Sequence, residues 1–187
     1  MTRTPMTREN LLPQLAAYAL EHGIAGLSLR PLAAAAGTSD RMLLYHFGSK
    51  QQLVAELLEY IAAGFTLALD GVLPKGRRES RAACLEAVAT ATRGAAFRPY
   101  LVLWWQVVAG AAHGEATYAA TAGAIMDGLL SWLEHLLPAD DPAPHEAAKQ
   151  ILTLIEGAQM LDAIGRSAIA DGGLAGGWAL AATHSAP

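Results

Sequence analysis

Apolar positions recur at steps of three and four through most of this chain, as they do in helices that bury one face. Leu11, Leu15, Tyr18 and Ala19 predict a first helix over residues 8–22, ended by Gly23. Pro13 fits that helix if Asn10 is the cap, and would kink one begun at Thr7. Ile24–Leu27 reads as a short connector. Leu29, Leu32, Ala33 and Ala36 mark a second, short helix, with Ser28 placed as its N-cap, Pro31 in its first turn and Gly37 where a capping glycine belongs. Thr38 and Ser39 can cap the next helix, whose exposed positions include Asp40, Arg41, Tyr45 and His46, and the basic Lys50 waits beyond it. Two short helices around a tight turn are the layout of a helix-turn-helix. Its second helix enters the DNA major groove and its first braces the pair across the backbone.

Beyond Lys50, the spacing of Leu53, Leu57, Ile61, Phe65 and Leu69 predicts a helix from Gln51 to about Leu73. Pro74-Lys75-Gly76-Arg77-Arg78 breaks it, and Ser80 can start another that runs to about Ala96. The basic cluster of Arg77, Arg78 and Arg81 reads as a solvated turn rather than a second nucleic-acid contact. Pro99 opens an apolar helix from Tyr100 to about Ala112, closed by Gly114. Over residues 115–137, Tyr118, Ala122, Ile125, Leu129, Trp132 and Leu136 form a packing seam beside the small residues Ala119, Gly123, Ala124 and Gly128. The linker Pro138–Pro144 reverses the chain, and Ile151, Leu154, Ile155, Ala158, Leu161 and Gly165 predict a further helix over about 145–170. Two such helices side by side suggest half of an intermolecular four-helix bundle, hence a homodimer; the alternative is that both line the monomer's own core. From Asp171 onward, the glycine pairs 172–173 and 176–177 suggest a loose terminal helix or disorder.

Composition narrows the class. Hydrophobic residues make up 53% of the chain, many of them Ala and Leu with few β-branched runs, which points to an all-α protein. No uninterrupted apolar run reaches the roughly 18 residues of a membrane span; the longest, Tyr100–Ala112, contains Gln106. Arg3 and Arg8 precede no hydrophobic region of the kind a signal peptide needs, and a lone Cys84 fits a reducing compartment. A cytoplasmic protein with no membrane partner is expected. The net charge of −4 is unevenly spread. Residues 1–50 hold Arg3, Arg8, Arg30, Arg41 and Lys50 against Glu9, Glu21 and Asp40, while the remainder is acidic. That asymmetry aims the head at phosphate and keeps the body away.

The head carries a more specific pattern. His46-Phe47-Gly48-Ser49-Lys50-Gln51-Gln52-Leu53 is similar to an "HF-x-S/N-K-x-x-L" signature, and Leu27-Ser28-Leu29-Arg30 with Leu32-Ala33-Ala34-Ala35-Ala36-Gly37 to the helix that precedes it. Over roughly residues 8–60 the chain thus resembles the DNA-binding domain of the TetR (tetracycline-repressor) family of transcription regulators. The resemblance implies an N-terminal three-helix helix-turn-helix domain over 1–50 and a C-terminal helical effector-binding and dimerisation domain over 51–187. It places Arg30, Tyr45, His46 and Lys50 at phosphates or groove edges, with Ser39 beside them. It puts Asp40, Arg41 and Met42 where the family reads bases. The family usually carries a phosphate-touching Tyr where this chain has Leu44, and Tyr45 points about 100° away around the helix.

Other chemistry is sparse. His22, His46, His113, His135, His145 and His184 are scattered without an HExxH motif or a Cys/His cluster, so no metal site is expected. The chain has no nucleophile elbow, Walker loop or dinucleotide fingerprint, so neither a cofactor nor an enzyme activity is expected. A small-molecule site is the better prospect. Phe97, Tyr100, Trp104 and Trp105, with Gln106 and His113 nearby, would face Met126, Glu156, Gln159, Met160 and Asp162, giving apolar walls with a few polar groups. The adjacent tryptophans cannot share one helical face. With these features, the resemblance implies a repressor released from a palindromic duplex operator by a small apolar effector. The alternative is a ligand-binding or scaffolding helical protein whose head, altered at Leu44, no longer binds DNA.

Overall fold

A computed structural model describes residues 7–182, which are all-α. The helices are α1 (Arg8–His22), α2 (Leu29–Ala35), α3 (Asp40–Phe47), α4 (Lys50–Val72), α5 (Arg81–Thr92), α6 (Arg98–Ala112), α7 (Ala116–Leu136), α8 (Pro144–Ala163) and α9 (Ser167–Ala182), with a 3₁₀ turn at Ala95–Phe97. Residues 1–6 and 183–187, and with them Arg3 and His184, lie outside the described residues. The chain divides into two compact units, each discontinuous in sequence. One comprises the residues up to Phe65 together with Ala96–Ile125; the other comprises Thr66–Ala95 and the residues from Met126 onward.

The first unit is built on the apolar stripes of α1 to α4. Leu11, Leu15, Ile24, Leu32, Leu43, Phe47, Leu53, Leu57 and Leu58 are buried together, and α6 adds Leu103 and Val107 to the same core. Thr7 caps α1, its hydroxyl accepting from the Asn10 N–H at 3.4 Å. The expected cap at Asn10 is therefore corrected, and Pro13 lies inside the helix. Pro13 and Glu9 are exposed, so water can serve the carbonyl that proline leaves without its helical donor.

In the second unit Leu69, Cys84, Leu85, Val88, Leu133, Leu137, Ala148, Ile151 and Ile155 are buried. Burial pushes the Cys84 thiol up to about 11, so the side chain behaves as a small hydrophobe. The helix expected over 145–170 is two helices. Gly165, at φ +71°, breaks it, and the Arg166 N–H closes back on the Leu161 carbonyl at 2.8 Å. The glycine-rich segment beyond is helical, and α8 packs chiefly on this α9 and on α5. The helix expected to end near Ala96 stops at Thr92, whose hydroxyl donates to the Val88 carbonyl at 2.9 Å, and a short 3₁₀ turn follows.

The basic cluster lies on an exposed turn over residues 74–77, as expected, and it also makes specific contacts. The Arg77 guanidinium donates to the Leu137 carbonyl at 2.9 Å, and the Arg78 backbone N–H to that of Leu136 at 2.7 Å, so both satisfy the C-terminal end of α7. Arg81 grips Asp141 through two hydrogen bonds of 2.6 and 2.5 Å. These bonds hold the well-buried Asp141 carboxyl below its ordinary value, against the opposing effect of desolvation. By length and composition α4 could cross a membrane, with a mean hydropathy of 1.4 over its most apolar window. Leu53, Val54, Leu57, Leu58, Ile61 and Leu69 are buried, and a third of that window is buried in all.

Candidate nucleic-acid interface

The turn between α2 and α3 depends on Gly37, at φ +62°, with the Thr38 N–H returning to the Ala33 carbonyl at 2.8 Å. Ser39 then caps α3, its hydroxyl accepting from the Met42 N–H at 3.3 Å. Ser28 stands at the N-cap of α2 but makes no capping hydrogen bond through its side chain. α3 ends at Gly48, φ +80°, and Ser49 caps α4 by accepting from the Gln52 N–H at 3.0 Å. Local capping thus fixes α3 and the start of α4 within a few residues of each other.

α3 buries Leu43 and Phe47 and turns its other side outward. Arg30, Ser39, Asp40, Arg41, Tyr45 and Lys50 are exposed, while Met42 and His46 are half-buried. Tyr45 is 77% exposed and Leu44 38%, so the leucine shares the outward surface that the resemblance assigns to DNA. Among the described residues, Arg30, Arg41 and Lys50 enter no ion pair. Three cations that no carboxylate neutralises are free to meet an external anion. His46 is placed differently from the other seven candidates. Its Nε2 is buried without a hydrogen-bond partner, and its ring meets Tyr45 edge-on at 5.2 Å.

Sequence reasoning did not find Arg8. Its Nε donates to the His46 carbonyl at 2.5 Å, its Nη1 to Glu56 at 3.0 Å, and its guanidinium lies 5.6 Å from the Phe47 ring centroid. A cation at the C-terminal end of α3 suits that helix's dipole, and the same side chain ties α1 to α3 and α4. The signal was a lone arginine opening a helix, with partners 38 and 48 residues away.

The eight candidate effector residues divide between the units, and each group is described by itself. In the first, Phe97 is buried, its ring edge-on to Phe65 at 5.6 Å, and Tyr100 tilts against Phe65 at 5.6 Å. Trp104 packs on the core, and both Trp104 and Trp105 are half-buried. Gln106 is tied to the connector after α1. In the second unit, Met160 is 50% exposed and Met126 and Glu156 are half-buried. Gln159 is buried with its Oε1 unpartnered, beside a cavity of about 10 Å³ lined also by Thr92, Arg93, Ile155, Ala158 and Asp162. That space suits about one water molecule. Arg93 spans Asp162 at 2.7 Å and Asp171 at 2.9 Å. Burial opposes ionisation of Asp162, but hydrogen bonds from Arg93 and Ser167 prevail and keep its carboxyl below its ordinary value.

A capped helix-turn-helix whose second helix turns Arg41 and Tyr45 outward, with Arg30 and Lys50 on its flanks, has the layout of a DNA-reading head. Residues 16–57 match the model of the bacterial regulatory proteins of the tetR family. An HTH-type transcriptional repressor of Pseudomonas putida, NicS, is 36% identical over 62 residues, covering 33% of this chain and 29% of that repressor. A Streptomyces coelicolor A3(2) protein assigned as a transcriptional regulator is 26% identical, with a TM-score of 0.65 over 83% of this chain and 86% of its own. A Rhodococcus sp. protein assigned to the TetR-family regulators superposes with a TM-score of 0.69 at 18% identity, over 92% of this chain and 96% of its own. The multidrug binding protein EbrR, solved with imidazole, gives 0.61 at 18% identity over 84% of this chain and 79% of its own. Over residues 16–57 the chain is thus similar to the tetR family, and it spans less than a third of the length of the curated repressor it matches.

Proposed function

We propose that this chain is a cytoplasmic, homodimeric transcriptional repressor, without enzyme activity, that binds a palindromic duplex operator and releases it when a small, largely apolar effector binds. The observation that carries the reading is α3, which buries Leu43 and Phe47 while Arg41 and Tyr45, with Arg30 and Lys50 from its flanks, stand exposed. Asp40, Arg41 and Met42 would meet base edges. Ser39, Arg30, Tyr45 and Lys50 would meet the backbone, which fixes position without reading sequence. His46 would act at the edge of this surface. Residues 1–50 would read DNA, and residues 51–187 would bind effector and pair the protomers.

Support for an effector comes from the aromatic side chains Phe97, Tyr100, Trp104 and Trp105 and from Met126, Glu156, Gln159 and Met160, together with the imidazole complex of the structural relative EbrR. Release requires that effector and operator favour different states of the protein. The test is selection of bound sequences from random duplex DNA, repeated with flat apolar ligands present. Enrichment of a palindrome whose binding weakens with salt is expected. The exposed Leu44 favours a second reading, a head that no longer binds DNA. Failure to enrich any sequence at low salt would select it.

A further inference from the structure

The connector between α1 and α2 is held by a side chain from far along the chain. Gln106, in the middle of α6, places its Oε1 2.6 Å from the Ile24 N–H and 3.0 Å from that of Ala25. Both neighbours are backbone donors, so the amide must present oxygen to them, whatever its assignment elsewhere. Gly23 makes room for it. A Cβ there would lie 2.5 Å from the Gln106 Nε2 and 2.7 Å from its Oε1, and the backbone at Gly23 has φ +79°. Ile24 is 1% exposed, so its N–H would find no water if the glutamine left.

Ile24 and Leu27 anchor this connector in the core, but few hydrogen bonds fix its backbone. The Leu27 N–H returns to the Ile24 carbonyl at 3.1 Å, and Ser28 makes no side-chain cap to start α2. The backbone entry of α2, and through Gly37 the angle of α3, therefore rests in part on an acceptor supplied by α6. We propose that Gln106 is a positioning residue for DNA recognition. It touches no DNA, yet it sets the geometry of the helix-turn-helix from outside residues 1–50. This rests on the operator-binding reading above. Within the apolar run Tyr100–Ala112, the glutamine is a polar side chain spent on the head and not on an effector.

The test compares Gln106→Met, which keeps bulk and removes the acceptor, with Gln106→Glu, whose carboxylate can accept from both N–H groups. Each is measured in the full-length protein for operator affinity, random-duplex affinity, salt dependence and amide exchange at Ile24 and Ala25. Gln106→Met should lose about tenfold in operator affinity, with random-duplex affinity and the salt slope unchanged, because no phosphate contact is removed. Its Ile24 and Ala25 amides should exchange faster. Gln106→Glu should restore protection and bring operator affinity to within about threefold of the parent. If Gln106→Met keeps parental operator affinity, or loses operator and random duplex equally, the positioning role is overturned while the operator-binding reading stands. A parent that prefers no duplex overturns both.

Discussion

Two basic residues on the head are expected to do different work. Arg41 projects from α3 and Lys50 opens α4, and neither is held by a carboxylate among the described residues. Lys50→Ala should weaken all duplexes alike and lower the salt slope by about one. Arg41→Ala should relax preference at one operator position at a cost of about 1–3 kcal/mol. Fluorescence anisotropy titrations at several salt concentrations separate the two. Gln159 poses the opposite case, a buried amide whose oxygen has no partner. A water in the adjacent space can serve that oxygen, so Gln159→Met should change stability by less than about 1 kcal/mol in urea unfolding. The same substitution should weaken any effector that donates a hydrogen bond at this site. Sequence spacing could mark Gln159 and Gln106 as polar groups on apolar helices. It could not say that the second serves two backbone donors more than 80 residues earlier.

At the level of elements, legibility followed the range of the forces. Ser39, Gly37 and Gly48 act on neighbours within a few residues, so the helix-turn-helix could be read directly. The break at Gly165 escaped because the apolar period passes through it, and one glycine in a repeat looks like a seam position. The arginines after α4 escaped for another reason: their partners on α7 and its following loop lie about 60 residues on. Those partners carry a prediction. Asp141→Asn should cost about 2 kcal/mol, since it removes a charged acceptor with two hydrogen bonds. The carboxyl is held below its ordinary 3.8 in the folded protein. Its contribution is therefore full above that ordinary value and is lost as the pH falls through the lowered one. Thermal melts from neutral pH into acid should show the gap between parent and variant closing.

For the whole molecule, the pairing of protomers is the main expectation. Ala119, Gly123, Ala124 and Gly128 on α7 are exposed, and nothing lies within 4 Å of where a Cβ would sit on either glycine. Met160, Ile164 and Ile169 are also exposed, at 50%, 65% and 58%. Ala158, by contrast, is buried within its own unit and is a poor place to probe association. Gly123→Glu should convert a dimer at micromolar concentration into monomers and lose operator affinity, because both half-sites must be held together. Sedimentation of parent and variant decides it, and a monomeric parent would remove the palindrome as well. The interleaving of the two units along the chain has a further consequence during synthesis. The head's own helices leave the ribosome early, but the glutamine that fixes their connector and the last part of their unit emerge only with α6 and α7. At about 5–20 residues per second the delay is several seconds. During that interval the nascent head must persist with the Ile24 and Ala25 amides unlatched, a window in which chaperones or a neighbouring nascent chain could engage it.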